Sequence, residues 1–247
     1  MTLRRSVIIS VFLLAVLIFF GSVMAGENPV EEARQAFHRG DYEQAEELWT
    51  EVSELEGYEW ETGFYLGLIY LRLEDYELAA EKMDRAFELR PEDYATAVNY
   101  ARILYNKEEI EKAGEVLDRV PEDRRRSDEQ YYNIRGLLAM SEGELERAFE
   151  AFASSVNIEP DNIHVRNNFG LALMRQNRYE EAIEHLEYAA DMEPEIAYIY
   201  NNLGVSYENL DRLKEARDSY ERALEIDPDH PRAGANLERV EALLEDQ

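Results

Sequence analysis

Six alanines recur at an almost constant step along this chain: Ala45, Ala79, Ala113, Ala148, Ala182 and Ala216, separated by 34, 34, 35, 34 and 34 residues. A second series of small residues keeps step with them at Ala33, Gly67, Ala101, Gly136, Gly170 and Gly204. Self-similarity at this period predicts stacked supersecondary units, each touching its neighbours, rather than a closed globule. Counting each unit from seven residues before the second series places the starts at residues 26, 60, 94, 129, 163 and 197. The second series then occupies position 8 of each unit and the alanines position 20.

Within a unit, apolar residues fall at helical spacing in two blocks separated by a short polar stretch. In the second unit the first block holds Phe64, Leu66, Leu68, Tyr70 and Leu71, and the turn is Leu73-Glu74-Asp75. The second block carries Tyr76, Ala79, Ala80, Met83, Ala86, Phe87 and Leu89. The i, i+3, i+4, i+7 pattern predicts two antiparallel helices. Pro91 closes the second, because proline lacks an amide hydrogen and restricts the residue before it. Small residues at positions 8 and 20 let the helix backbones approach. Large residues at position 24 (Trp49, Met83, Leu117, Phe152, Leu186, Tyr220) fill the space between them.

These residues resemble the tetratricopeptide repeat, whose signature runs L-G-x-x-Y, then A-x-x-x-F, then P. The second unit reads Leu66-Gly67, Tyr70, Ala79, Met83, Pro91; the sixth reads Leu203-Gly204, Tyr207, Ala216, Tyr220, Pro228. The resemblance covers residues 26 to 230 in six copies. It implies an all-α fold, a right-handed α-solenoid of about six helix pairs. The tail, residues 231–247, continues the phase with Asn236, Leu237, Val240, Leu243 and Leu244 and reads as a capping helix. The third unit departs from the pattern, with Val120-Pro121 and Arg125 where alanine-leucine and a closing proline are expected. One extra residue follows, and the polar stretch Glu122 to Asp128 contains Arg124-Arg125-Arg126. The second helix of that unit is therefore expected to end early, at Val120, either with a tolerated insertion or with a bend that exposes a basic spot.

The N-terminus is of a different kind. Arg4 and Arg5 precede Val7 to Phe20, in which only Ser10 is polar, and Val23-Met24-Ala25 follows. Charged, apolar and small-residue regions in this order describe a secretory signal peptide, residues 1–25. The alternative is a retained membrane anchor over residues 7–26, close to the ~20 residues that a bilayer span needs. The expected location is the periplasm or beyond. There are no cysteines, which excludes thiol, disulfide and cysteine-metal chemistry as well as a lipidated cysteine. Cleavage after Ala25 would leave 24 basic against 54 acidic residues, a net charge of −30. Such a surface repels nucleic acid and anionic headgroups.

Catalytic patterns are lacking. His38, His164, His185 and His230 are scattered, with no zinc-protease, nucleophile-elbow or phosphate-loop motif. Neither cofactor nor metal is expected. The resemblance implies a concave face lined by positions 2, 5, 6, 9, 12 and 13 of successive first helices. There Arg34, Arg72, Arg102 and Arg175 balance Glu27, Glu31, Glu61 and Glu208. Asparagines mark the same face at Asn99, Asn133, Asn167, Asn168, Asn201, Asn202 and Asn236, and an amide offers both donor and acceptor to an extended peptide backbone. Those at position 6 (Asn99, Asn168, Asn202 and Asn236) match groove asparagines of peptide-binding members of the family. Phe64, Tyr65, Tyr105 and Tyr198 are candidate aromatic anchors. The expectation is a noncatalytic scaffold in the cell envelope whose groove holds a partner protein or peptide through Asn99, Asn133, Asn168, Asn202, Asn236, Arg102, Arg175, Tyr65 and Tyr105. The alternative is a membrane-tethered structural protein that self-assembles through its repeat ends or convex face.

Overall fold

The computed structural model describes residues 28–125 and 127–246. The leader expected over residues 1–25, and the alternative anchor over 7–26, lie outside the described residues, as does Arg126 of the basic stretch. Among the described residues the chain forms fourteen helices and no strand. They fall into two compact units that divide between Arg119 and Val120. No helix among the described residues is long and apolar enough to cross a membrane.

The first unit contains α1 (Pro29–His38), α2 (Tyr42–Val52), α3 (Glu59–Arg72), α4 (Tyr76–Leu89), α5 (Tyr94–Asn106) and α6 (Ile110–Asp118). The second contains a single turn, α7 (Glu122–Arg125), then α8 (Glu129–Glu142), α9 (Leu145–Ile158), α10 (Ile163–Arg175), α11 (Tyr179–Met192), α12 (Ala197–Asn209), α13 (Leu213–Ile226) and α14 (Ala233–Glu245). Helix α6 ends at Asp118, two residues short of the expected Val120. The polar stretch after it is not a plain loop, because Glu122–Arg125 winds one helical turn. Arg125 donates from Nε to the Val120 carbonyl at 2.8 Å.

Local chemistry sets the boundaries. Asp41, Asp75, Asp93 and Asp128 cap α2, α4, α5 and α8 by accepting a backbone N–H from two or three residues into the helix. Pro91, Pro160, Pro194 and Pro228 each stand two residues beyond the end of a second helix, where no further helical hydrogen bond is possible. The turn inside every pair has one geometry. Gly40, Glu74, Glu108, Gly143, Asn177 and Asp211, all at position 15, have φ between 59° and 79°. The next residue's N–H then reaches back to the carbonyl five residues earlier, from Asp41 N to Ala36 O through Arg212 N to Tyr207 O. That wrap satisfies a carbonyl left over at the end of the first helix.

Helices pair within each repeat (α3 with α4, α12 with α13), and within each unit a second helix packs on the first helix of the next repeat, as α4 does on α5 and α13 on α14. The six alanines at position 20 are all 0 % exposed, which identifies them as the contact points of the pairs. Position 8 faces the large residue at position 24 of the same repeat. A Cβ added at Gly136 would lie 2.6 Å from the Phe152 ring, and one at Gly170 2.9 Å from Leu186 Cγ. The glycine therefore makes room for a buried side chain rather than for a neighbouring backbone alone.

Candidate functional site

First helices of successive repeats touch one another within each unit, α3 with α5 in the first and α8, α10, α12 and α14 in sequence in the second. Their shared face is where the asparagines meet. Asn168 donates from Nδ2 to Asn133 Oδ1 at 3.1 Å, Asn202 to Asn167 at 2.9 Å, and Asn236 to Asn201 at 3.0 Å. Each rung joins position 6 of one repeat to position 5 of the repeat before. Asn167 and Asn201 are buried by this arrangement, at 7 % and 4 % exposure. Among the described residues no donor reaches the Oδ1 atoms of Asn168 and Asn202, which leaves them to a ligand's N–H.

Half-buried apolar side chains lie beside these rungs, namely Leu137 and Met140 on α8, Leu171 and Met174 on α10, and Val205 on α12. Among the described residues at inner-face positions of the second unit, Glu208 is the one carboxylate. Arg239 of α14 holds it with two parallel bonds of 2.7 Å, and the Tyr220 hydroxyl donates to it at 2.8 Å. Burial pushes the Glu208 carboxyl up, but these donors outweigh burial and hold it below the ordinary carboxylate range. Arg175 is exposed at the end of α10 and donates weakly, at 3.4 Å, to the Met140 carbonyl in the last turn of the preceding first helix. His164 and Tyr198 meet across repeats at 3.0 Å. The result is an apolar strip bounded by amides, with its negative charge already matched.

The first unit is built differently. Position 5 there holds Val30, Phe64 and Val98, so no rung forms. Asn99 donates to the Ala95 carbonyl of its own helix at 2.8 Å and accepts from Arg102 at 2.7 Å. Tyr65 is stacked flat on Trp49, with ring centroids 4.5 Å apart, and edge-on to Phe37 at 5.3 Å. That ring ties α3 to α1 and α2 rather than standing free. Tyr105 is half-buried on α5. The sequence-derived set thus divides, with Asn133, Asn168, Asn202, Asn236 and Arg175 on one unit's face and Tyr65, Asn99, Arg102 and Tyr105 in the other unit. Arg239 was missed by the sequence reading, although its position 9 stands one repeat after the position 12 carboxylate of Glu208. Among the described residues no group of three or more histidine, aspartate and glutamate side chains is placed to hold a metal ion.

Three family models described as tetratricopeptide repeat match the chain, over residues 30–86 and 167–231, 70–138, and 129–162. Among solved structures, the chain is similar to MamA 41-end from Desulfovibrio magneticus RS-1, at 23 % identity and a TM-score of 0.57 over 68 % of this chain and 96 % of that one. Another MamA structure is 18 % identical with a TM-score of 0.56, over 70 % of this chain and 93 % of that one. YrrB, described as a TPR protein with an unusual peptide-binding site, is 19 % identical with a TM-score of 0.55, over 75 % and 95 %. These identities speak to the fold, a solenoid of helix pairs. No curated protein matches the chain.

Proposed function

This chain belongs to the tetratricopeptide repeat family, and from that premise we propose that it is a noncatalytic scaffold whose second unit holds an extended segment of a partner protein along α8, α10, α12 and α14. The observation that carries the proposal is the strip of Leu137, Met140, Leu171, Met174 and Val205 beside rungs whose Asn168 and Asn202 side-chain carbonyls have no donor among the described residues. An apolar strip supplies burial, and free amide carbonyls supply register for backbone N–H groups. The charge contrast favours the same face, because a chain of net charge −28 keeps one carboxylate there and pairs it with Arg239. The peptide-binding site ascribed to YrrB offers a parallel in a protein of similar fold.

We place this activity in the cell envelope, on the strength of Arg4-Arg5, the apolar run Val7 to Phe20 and Val23-Met24-Ala25. Mass spectrometry of the native protein should find Gly26 at the mature N-terminus. An intact residue 1 would replace secretion by membrane tethering. The groove itself is tested by Leu137→Glu with Leu171→Glu, which puts two unpaired carboxylates into the strip. Recovery of the partner from native cells should fall about tenfold or more, while Lys214→Glu on exposed α13 should leave it unchanged. A double variant that keeps its helical circular dichroism and still recovers the partner in full would overturn the assignment.

A further inference from the structure

One arginine clamps the start of α10, and the connection that leads into it, to α11. Arg166 is half-buried on the first turn of α10 and donates from Nε to the Pro160 carbonyl. Its guanidinium lies over the Tyr188 ring, 3.6 Å from the centroid, and its Nη1 meets Nδ1 of His185 at 3.3 Å. The Tyr188 hydroxyl donates to Asp161 in the same connection. Every acceptor that Arg166 has among the described residues is uncharged.

The next repeat solves the same problem differently. There the ring stands on the first helix, as Tyr200, and the arginine on the second, as Arg222. Arg222 donates to the Pro194 carbonyl, the counterpart of Pro160, and also pairs with Glu195 at 3.1 Å and Glu225 at 3.0 Å. Position 23 of that repeat is Ser219. In the repeat of α10 and α11 the counterpart of Glu195 is Asp161, which Tyr188 engages, and position 23 is His185. An imidazole thus stands beside an arginine that its repeat does not match with a carboxylate.

A guanidinium can only donate, so its contact with His185 requires a lone pair on Nδ1 and places the proton of the neutral ring on Nε2. A protonated imidazole donates from both nitrogens. The contact then becomes donor against donor, between two cations. Surrounding charges do not remove that conflict. On α10 they are Arg166, with His164 and Arg175 elsewhere on the helix. Beside its tyrosines, α12 carries one titratable side chain, Glu208, already held by Arg239 and Tyr220. On α11 itself Glu181 and Glu184 favour the proton, but less strongly than burial and Arg166 oppose it.

We propose that the Arg166–His185 contact is a proton-operated clamp, which holds the first turn of α10 at neutral pH, releases Arg166 in acid and thereby resets the asparagine rungs. Asn167 and Asn168 directly follow Arg166, the first accepting from Asn202 on α12 and the second donating to Asn133 on α8. Asn162, in the clamped connection, donates to Glu129 of α8 at 3.2 Å. As regulation of the inner face, the clamp rests on the partner-binding role of that face; as a conformational change it needs no partner.

The test is an NMR titration of the isotopically labelled full chain from about pH 7.5 to 4.5. It follows the His185 ring, the Arg166 Nε–H and the side-chain amides of Asn168 and Asn202. His185 should titrate in this range. The Arg166 Nε–H should change shift at the same midpoint as it leaves the Tyr188 ring, with both asparagine amides following. His185→Gln, whose amide oxygen accepts from Arg166 without titrating, should abolish the shared midpoint, whereas His164→Gln should leave it in place. Arg166→Gln removes the like charge, so it should move the His185 midpoint upward and uncouple the asparagine amides from it. That variant decides the matter even if His185→Gln folds poorly. A ring that stays neutral throughout, or one that titrates while the Arg166 Nε–H or the asparagine amides do not follow, would overturn the proposal. Because the titration contains no partner, its outcome is independent of partner recovery by Leu137→Glu with Leu171→Glu, and failure of either is read by itself.

Discussion

An asparagine whose amide is held by its neighbour acts as a structural residue before it acts as a ligand residue. Asn202→Ala would remove the donor from Asn167, which is 7 % exposed and has little water to replace it. A loss of about 1–3 kcal/mol is expected from the orphaned carbonyl. Asn168→Ala exposes the half-buried Asn133 instead, and the loss should be about 1 kcal/mol or less. Urea unfolding of the two variants checks the order, and equal losses would refute it. The sequence period put these residues on one face correctly but could not show where the N–H groups point. That depends on how closely consecutive first helices approach, which no spacing along the chain encodes. Titration adds a second residue-scale expectation. Burial, and then the Arg166 guanidinium, hold the His185 imidazole below its ordinary range. The unfolded chain therefore binds the proton more readily, and stability should be full above the unfolded value, about 6.5, and fall as pH drops through the folded value. Denaturation midpoints at several pH values should show a smaller acid loss in His185→Gln, and an identical loss would exclude this histidine as the source.

At the scale of the element, turns and pairs follow rules that differ in legibility. Proline closures and the alanine period were open to a reader of the sequence. The left-handed residue at position 15 was not, because glutamate occupies it at Glu74 and Glu108 as readily as glycine does at Gly40 and Gly143. Side chains with a Cβ bear a cost of roughly 1–2 kcal/mol in that region, partly offset by the greater unfolded-state freedom of glycine. Replacing Glu74 or Glu108 by glycine should therefore raise stability by about 0.5–1 kcal/mol, whereas Gly143→Ala should lower it by a similar amount. Helix pairing yields a sharper contrast. A Cβ at Gly136 meets three atoms of the Phe152 ring within 2.7 Å, whereas at Gly67 the nearest atom, at 2.8 Å, is the terminal methyl of Met83. Overpacking at Gly136→Ala should cost about 1–3 kcal/mol, and Gly67→Ala less, because a methionine end can swing aside. Thermal melts of the pair decide it, and Phe152→Leu should recover part of the Gly136→Ala loss.

For the whole molecule the governing quantity is charge. With 54 acidic against 26 basic residues, half of the ion pairs found among the described residues join exposed partners three or four residues apart, and these contribute little. Net repulsion opposes the compact state, so raising salt from about 0.05 to 0.5 M should raise the thermal midpoint by shortening the Debye length. A fall with salt would mean that local pairs outweigh the repulsion. At this scale the all-helical repeat fold was legible in the sequence, since every repeat restates it. The candidate site was legible only in part: Asn133, Asn168, Asn202 and Asn236 do share a face, whereas Tyr65 serves the aromatic stack on Trp49. The six identical turns also mark places where the chain can be shortened without loss of phase. Excising residues 178–211 would join Asn177 to Arg212, one left-handed turn to the residue that follows another. Gly170 would then face Tyr220, and Asn236 would find Asn167 where Asn201 had stood, so the array should re-form with one module fewer.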